Sequence, residues 1–273
     1  MGLPSDALDA LAKLEASTIA ADGGRLKLEW GVLNARVEEQ VSDILWWEKD
    51  ELVGFVGLYA FGSPTVEITG MVDPQFRRQG IGAALLSDML QLCRDRDHRQ
   101  VLLVAPRSSA GARVLATSRR GILEHSEHAL VLDGRVAQGP SDPTIALRRA
   151  TQADVADVGV LLTKAFGHPW NPLDLEASDT PTMVAERGGL IIATLRVHRD
   201  PGSWGIYGFA VSPLLQGRGI GRDLLRRVCR EANEAGVNRV HLEVSVDNER
   251  ALSLYTSLGF SHEATEDYYD IPL

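Results

Sequence analysis

Cysteine is scarce in this chain, with two among 273 residues, and aromatic side chains make up only 6%. Both cysteines, Cys93 and Cys229, fall in segments with helical apolar spacing, so they read as small buried hydrophobes rather than as a disulfide. That usage suits a reducing compartment and predicts a cytoplasmic protein. Positive charge is also short. Lys and Arg number 28 against 37 Asp and Glu, a net charge of -9, so no overall basic field exists to hold a polyanion and nucleic acid is not expected as a partner. No apolar run approaches the roughly 18 residues that a membrane-crossing helix needs. The opening MGLPSDALDAL lacks the basic and apolar segments of a secretion signal, and Asp6 stands where a myristoylation signal needs Ser or Thr, so no membrane partner is expected.

What is present is an ordinary globular composition, 44% hydrophobic and 24% charged, which supports a proper core. At roughly 150 residues per domain the length fits two domains. Self-comparison points the same way. The run VDPQFRRQGIGAALL (Val72 to Leu86) lies over VSPLLQGRGIGRDLL (Val211 to Leu225) at an offset of 139, with seven of fifteen positions identical. Chance gives about one match in such a window, so the repeat marks two copies of one unit at a whole-domain period. The stretch 133–144, DGRVAQGPSDPT, gathers Gly, Pro, Ser and Asp without apolar periodicity and reads as the connection. The expected domains are 1–135 and 145–273, with 136–144 as linker.

In the second half, IALRR reads as a short strand, Thr151 as a helix cap and the residues after it as a helix. Strands are expected at Thr182 to Arg187, Gly189 to His198 and Ser203 to Val211, then a helix over Ile220 to Ala235. Val240, Leu242, Val244 and Val246 alternate as a further strand, Arg250 to Leu258 reads as a short helix, and Phe260 to Ile271 as a last strand or strand pair. The first half repeats the order up to Leu132 but opens straight into a helix, Ser5 to Ala20, without the first strand. The fold class is α/β (α+β).

The run Gln216-Gly217-Arg218-Gly219-Ile220-Gly221 follows a strand and opens a helix. Glycines let the backbone turn sharply and let a ligand approach its N–H groups. The helix dipole is worth about 0.3 to 1 kcal/mol for each nearby negative group, so a pyrophosphate fits. A nucleotide P-loop is excluded because neither turn has the required lysine nearby. A dinucleotide fingerprint fails because Arg222, Leu224 and Leu85 stand where its last glycine belongs. A tight connection with no ligand explains one such turn; two copies with arginines beside the glycines weigh against it.

Both turns resemble the GNAT superfamily of acyl-CoA-dependent N-acyltransferases, whose Q/R-x-x-G-x-G/A signature is met by Gln216-x-x-Gly219-x-Gly221 and by Arg77-x-x-Gly80-x-Gly82. The segment Asn248-x-x-Ala251-x-x-Leu254-Tyr255-x-x-x-Gly259-Phe260 is similar to the one that follows the fifth strand of that family. The resemblance implies two tandem GNAT-like domains, each a mixed, mostly antiparallel sheet flanked by helices, with acetyl-CoA as co-substrate and no metal. It implies that Phe209, Ala210 and Val211 pair with the pantetheine arm and that Gln216, Gly217, Arg218, Gly219, Ile220 and Gly221 surround the pyrophosphate. Asn248 would contact the arm and Tyr255 would sit beside the sulfur; Arg77, Arg78, Gly80 and Gly82 would form a second cofactor turn. The half from Ile145 onward is similar to the protein N-terminal alanine acetyltransferases, whereas the two-domain layout resembles the mycothiol synthases, and the two imply different acceptors. The expected activity is transfer of an acetyl group to a primary amine of a small molecule or peptide, in a monomer or homodimer. The alternative is a non-catalytic acyl-CoA-binding regulator.

Acyl transfer to an amine needs a base for the amine and an acid for the departing thiolate. Tyr255 is the candidate acid, since a phenol with a pKa near 10 stays protonated at neutral pH. Core packing on the face shared with Ala251, Leu254 and Leu258 is its plainer reading. Glu243 points away from the apolar row of its strand and is the candidate base, with His241 on the same face as its rival. The resemblance implies an amine pocket from Gly167-His168-Pro169-Trp170-Asn171 and Glu266-Asp267-Tyr268-Tyr269-Asp270, where aromatic groups beside carboxylates suit a cation. In the first half, aligning Gly121 with Gly259 puts Thr117 opposite Tyr255 and Ala110 opposite Asn248, the strand LLVA offers no carboxylate, and only Glu67 could act as a base. His125 and His128 read as surface residues. That half is expected to be inactive, and to persist as a second acyl-CoA site or as scaffold.

Overall fold

A computed structural model describes residues 3–36, 41–60, 65–167 and 180–273. The chain forms two compact units, Met1–Glu127 with Glu263–Leu273, and His128–His262.

The first unit opens with helices α1 (Ser5–Asp22) and α2 (Trp30–Ala35), followed by strands β1 (Asp43–Glu48), β2 (Glu51–Ala60) and β3 (Thr65–Val72). Helix α3 (Ile81–Asp95), strand β4 (Gln100–Pro106), helix α4 (Ala110–Ser118) and the start of β5 (Ile122–Asp133) complete the local run. Strand β2 is buried along both faces, which is why it reads as a continuous apolar stretch rather than an alternating one. Leu52, Phe55 and Tyr59 pack with Leu11 and Leu14 of α1, whereas Val53, Val56 and Leu58 pack with Leu85, Leu86 and Met89 of α3.

The second unit contains β6 (Ala146–Arg149), α5 (Val155–Phe166), β7 (Thr182–Arg187), β8 (Leu190–Arg199), β9 (Trp204–Val211), α6 (Ile220–Glu234), β10 (Arg239–Ser245), α7 (Glu249–Thr256) and the start of β11 (Ser261–Asp270). Leu225, Val228 and Cys229 of α6, Tyr255 of α7 and Leu258 just beyond it cover one face of β8 to β10, while Val158, Leu161 and Leu162 of α5 cover Val184 and Ala210 on the other. Asp154 starts α5: its carboxylate accepts from the Thr151 backbone and hydroxyl and pairs with Arg148 at 2.7 Å. The Arg148 guanidinium holds that carboxyl well below the usual carboxylate range. The apolar stripes read from the sequence are thus the packed faces, with element ends shifted by a few residues at most. Helix α2 is an addition, and among the described residues the first unit has no counterpart of β6.

Strand pairing within each unit is mixed. In the first, β1-β2-β3-β4-β11 pair antiparallel except for parallel β3 and β4. In the second, the order is β5-β10-β9-β8-β7-β6, with β9 and β10 parallel and β6 to β9 antiparallel. Local sequence assigns the last strand to the second half, but Glu266 to Asp270 pair with Pro106 to Leu102 of β4, and Tyr269 and Ile271 enter the first unit's core. Conversely, Leu130, Leu132 and Val136 belong to the core of the second unit. Residues 134–144 carry no regular structure but are held along α6, where Arg226 donates to Ala137 O and Arg227 to Asp142 O and Ile145 O.

Candidate active site

The second unit builds a groove from three local features. The first is a gap between parallel strands. Register between β9 and β10 covers only Trp204–Val240, Gly205–His241 and Ile206–Leu242, although both strands continue, to Val211 and Ser245. Beyond that point the strands part, so the side of β9 away from β8, from Gly208 to Ala210, faces a slot that an amide-bearing chain can pair with. A bulge sharpens the divergence. Arg196 faces Tyr207 and Thr194 faces Ala210, so β9 carries one extra residue there, and Gly208 takes a positive φ of 55° within it.

The second feature is the turn. Gly217 (φ 77°) and Gly219 (φ 82°) adopt left-handed backbone that costs other residues about 1–2 kcal/mol, and a Cβ at either would meet no atom within 4 Å. Both facts leave open space over the start of α6, where the first N–H groups lack intrahelical partners. Gln216 is less a ligand than a clamp: its Nε2 donates to Val211 O at 3.2 Å, and its Oε1 accepts from Arg250 Nη1 at 3.2 Å. The turn is thereby tied to the end of β9 and to α7.

The third feature is α7. Asn248 caps it, its Oδ1 accepting from Ala251 N at 3.1 Å, which leaves only the Nδ2 group for a ligand. Tyr255 is 6% exposed and packs with Leu242, Val244, Leu258 and Phe260, whose ring centroid lies 5.9 Å away. Burial pushes its phenol up to about 12. Phe209, Ala210, Val211, Gln216, Gly217, Gly219, Ile220, Gly221, Asn248 and Tyr255 all line one groove of about 800 Å³. The exposed Arg218 is not in its lining. Leu254 is also in the wall, as are Phe166 and Arg250, which the sequence did not single out. Glu243 and His241 stand on the opposite side of β10 from Leu242 and Val244, and His241 Nε2 meets the Tyr207 hydroxyl at 3.3 Å. The groove's make-up fits a pantetheine pyrophosphate: a strand edge that has parted from β10, an open glycine turn, a helix start and an apolar far end.

Two expectations need correction. Glu266, Asp267 and Tyr268 lie in the first unit and bind its own cations. Glu266, fully buried, accepts from Arg25 at 2.8 Å; Asp267 accepts from Arg107 and Ser126; Tyr268 meets Lys27 at 2.7 Å and stacks on His125 at 4.1 Å. His125 thus packs on Tyr268 while 36% of its side chain stays exposed, and the half-buried His128 sits edge-on to His262 at 5.0 Å. His168, Pro169, Trp170 and Asn171 of the expected amine pocket lie outside the described residues.

The second correction concerns the first unit's repeat. Ser109 caps α4 by accepting from Ala112 N, as Asn248 caps α7 by accepting from Ala251 N. Gly121 N donates to Ala116 O, as Phe260 N donates to Tyr255 O. The offset of the turn therefore continues, Ala116 rather than Thr117 stands at the position of Tyr255, and Ser109 rather than Ala110 at that of Asn248. Arg120, at φ 60°, replaces Gly259. At the first turn Arg77 clamps Val72 O at 3.0 Å and pairs with Asp22 at 2.7 Å, and Arg78 takes the left-handed backbone of Gly217 at φ 64°. Register between β3 and β4 stops at Ile68–Leu103, but the β2–β3 ladder runs without a bulge. Val104, 3% exposed, takes the place of Glu243, and Glu67 is engaged by Lys27 at 3.3 Å.

Comparison with known proteins agrees with this geometry. The acetyltransferase (GNAT) family model matches residues 16–118 and again 155–260. A mycothiol acetyltransferase of Kineococcus radiotolerans is 32% identical across 98% of this chain and 94% of its own. The N-alpha-acetyltransferase RimI of Mycobacterium tuberculosis is 33% identical across 42% of this chain and 78% of its own. Among solved structures, a GCN5-related N-acetyltransferase from Sphaerobacter thermophilus superposes with a TM-score of 0.81 at 21% identity, covering 99% of this chain and 95% of that one. A tandem GNAT protein from the clavulanic acid biosynthesis pathway gives 0.66 at 17%, covering 97% and 95%. The activity these relations carry is acetyl transfer from acetyl-CoA to an amine. The chain belongs to the acetyltransferase (GNAT) family and contains its domain twice.

Proposed function

We propose that the second unit carries the reaction and that Tyr255 and Glu243 serve it from opposite faces of the gap between β9 and β10. Acetyl-CoA supplies the activated acetyl thioester. The β9 backbone from Gly208 to Ala210, on its side away from β8, orients the amide-bearing arm, and the N–H groups from Gly217 to Gly221, helped by the α6 dipole, hold its pyrophosphate. Asn248 and Arg250 flank the arm. Glu243 takes a proton from the incoming amine, directly or through one water, with His241 and Tyr207 beside it to pass the proton on. Tyr255 gives its Oη proton to the departing sulfur. The observation that carries this reading is Tyr255: it lines the groove, its ring is fixed by the core, and burial keeps its phenol protonated.

The acceptor is a mycothiol-related amine rather than a protein N-terminus, because the mycothiol acetyltransferases match along both halves whereas RimI matches less than half of the chain. A regulator without activity is not favoured by relatives that are acetyltransferases along their whole length. The first turn, Arg77 to Gly82, binds acyl-CoA without turning it over, since Ala116 and Val104 replace the acid and the base. The chain works as a cytoplasmic monomer or homodimer; buried, reduced Cys93 and Cys229 support that compartment. The test is consumption of acetyl-CoA by the full chain, followed by chromatography, with the amine precursor of mycothiol and, separately, with peptides beginning in alanine. Turnover on the peptides alone would reassign the acceptor.

A further inference from the structure

The cavity behind the first turn reaches core side chains. It measures about 470 Å³, and Leu85, Leu86 and Leu103 form part of its wall. In the second unit Leu224, Leu225 and Leu242 hold the equivalent places, are fully packed, and do not line the groove. Beyond the point where β3 and β4 part, the cavity runs on into core side chains, with Phe55 and Met71 on its far side. Such a volume is within the about 300–1,000 Å³ of small-molecule sites. At its mouth Arg78 keeps strained left-handed backbone where the second unit has glycine, which puts a guanidinium beside the helix start.

We infer that the first unit binds an acyl-CoA whose acyl chain is longer than acetyl, with that chain lying in the cavity between β3, α3 and β4. The inference rests on the reading that the Arg77 to Gly82 turn holds CoA, and adds what the far end selects. No bond is made or broken: the ligand is held, because Val104 offers no base and Ala116 no acid. Each methylene that leaves water for the cavity tightens binding about fourfold, so butyryl-CoA binds about fifteenfold more tightly than acetyl-CoA. The second groove, whose lining lacks Leu224, Leu225 and Leu242, shows no such gain.

The experiment is calorimetric titration of the full chain carrying Gly219→Val, which disables the second turn, with acetyl-, butyryl- and hexanoyl-CoA in turn. Circular dichroism confirms folding, and two-site titration of the unaltered chain gives the same comparison if that variant is unstable. The expected result is one site whose affinity climbs with chain length. Leu86→Phe, or the milder Ala112→Leu at the cavity wall, should remove the climb while leaving acetyl-CoA binding within about threefold. Equal affinity for all three thioesters overturns the inference and leaves the CoA reading of the turn intact. Loss of every thioester from the Gly219→Val chain, with one site remaining in the unaltered chain, overturns that underlying reading instead.

Discussion

Replacing Tyr255 by Phe separates chemistry from packing. The ring is held by Leu242, Val244, Leu258 and Phe260, and the hydroxyl has no side-chain partner among the described residues, so its removal leaves the core filled and strands no buried polar group. The expected cost to folding is below about 1 kcal/mol. Proton donation by a positioned acid is worth about 10²–10⁴ in rate, so kcat should fall by at least a hundredfold. The acetyl-CoA Kd should stay within about twofold, because the arm and pyrophosphate contacts are untouched. Alkaline pH gives a second readout. The phenol is raised from 10.0 to about 12, so its contribution to stability is complete below pH 10 and is lost as pH rises through about 12. That span corresponds to about 3 kcal/mol, and the Phe variant should lack this part of the alkaline loss. Kinetics of acetyl-CoA consumption, calorimetry and unfolding titrations from pH 8 to 12 test all three. Unchanged kcat would refute the assignment of Tyr255 as the acid, whatever the binding data show.

Gly219→Val should abolish acetyl-CoA binding at the second groove, because it forces a branched side chain onto φ 82° and fills the space over the helix start; calorimetry with a dichroism control measures it. Gln216→Ala releases Val211 O and Arg250 together, and should raise the acetyl-CoA KM several-fold with kcat little changed; a fall in kcat alone would contradict the clamp. Glu266→Ala leaves Arg25 without its carboxylate and should destabilise the first unit by about 3 kcal/mol, a Tm drop of about 5–10 °C in calorimetric scans. A fragment limited to 145–273 loses Leu130, Leu132 and Val136 from its core, about 5 kcal/mol of burial against a typical domain stability of about 5–15 kcal/mol. It should be unfolded or aggregated by dichroism and sedimentation; a stable, active fragment would show the exchanged strands to be dispensable.

Much of this protein is determined by local sequence. Alternation in Val240, Leu242 and Val244, helical spacing in Leu224, Leu225 and Val228, and glycines at 217 and 219 each express a short-range requirement: a pleat, a turn of helix, a positive φ. Such requirements act within a few residues, so the element order, the cofactor turn and its second copy can be read without coordinates. The partner of a strand is a different matter. Nothing in Glu266-Asp267-Tyr268-Tyr269 says that its free edge will meet β4, or that its carboxylates will meet Arg25 and Arg107 from the other end of the chain. The same holds for the extra residue in β9, which shows only as a shift against β8, and for Ala116 opposite Tyr255, which became visible through matching cap and helix-end hydrogen bonds. Pairing, burial and the depth of a cavity depend on free energies of contacts far apart in sequence, and those were decided only by the tertiary structure.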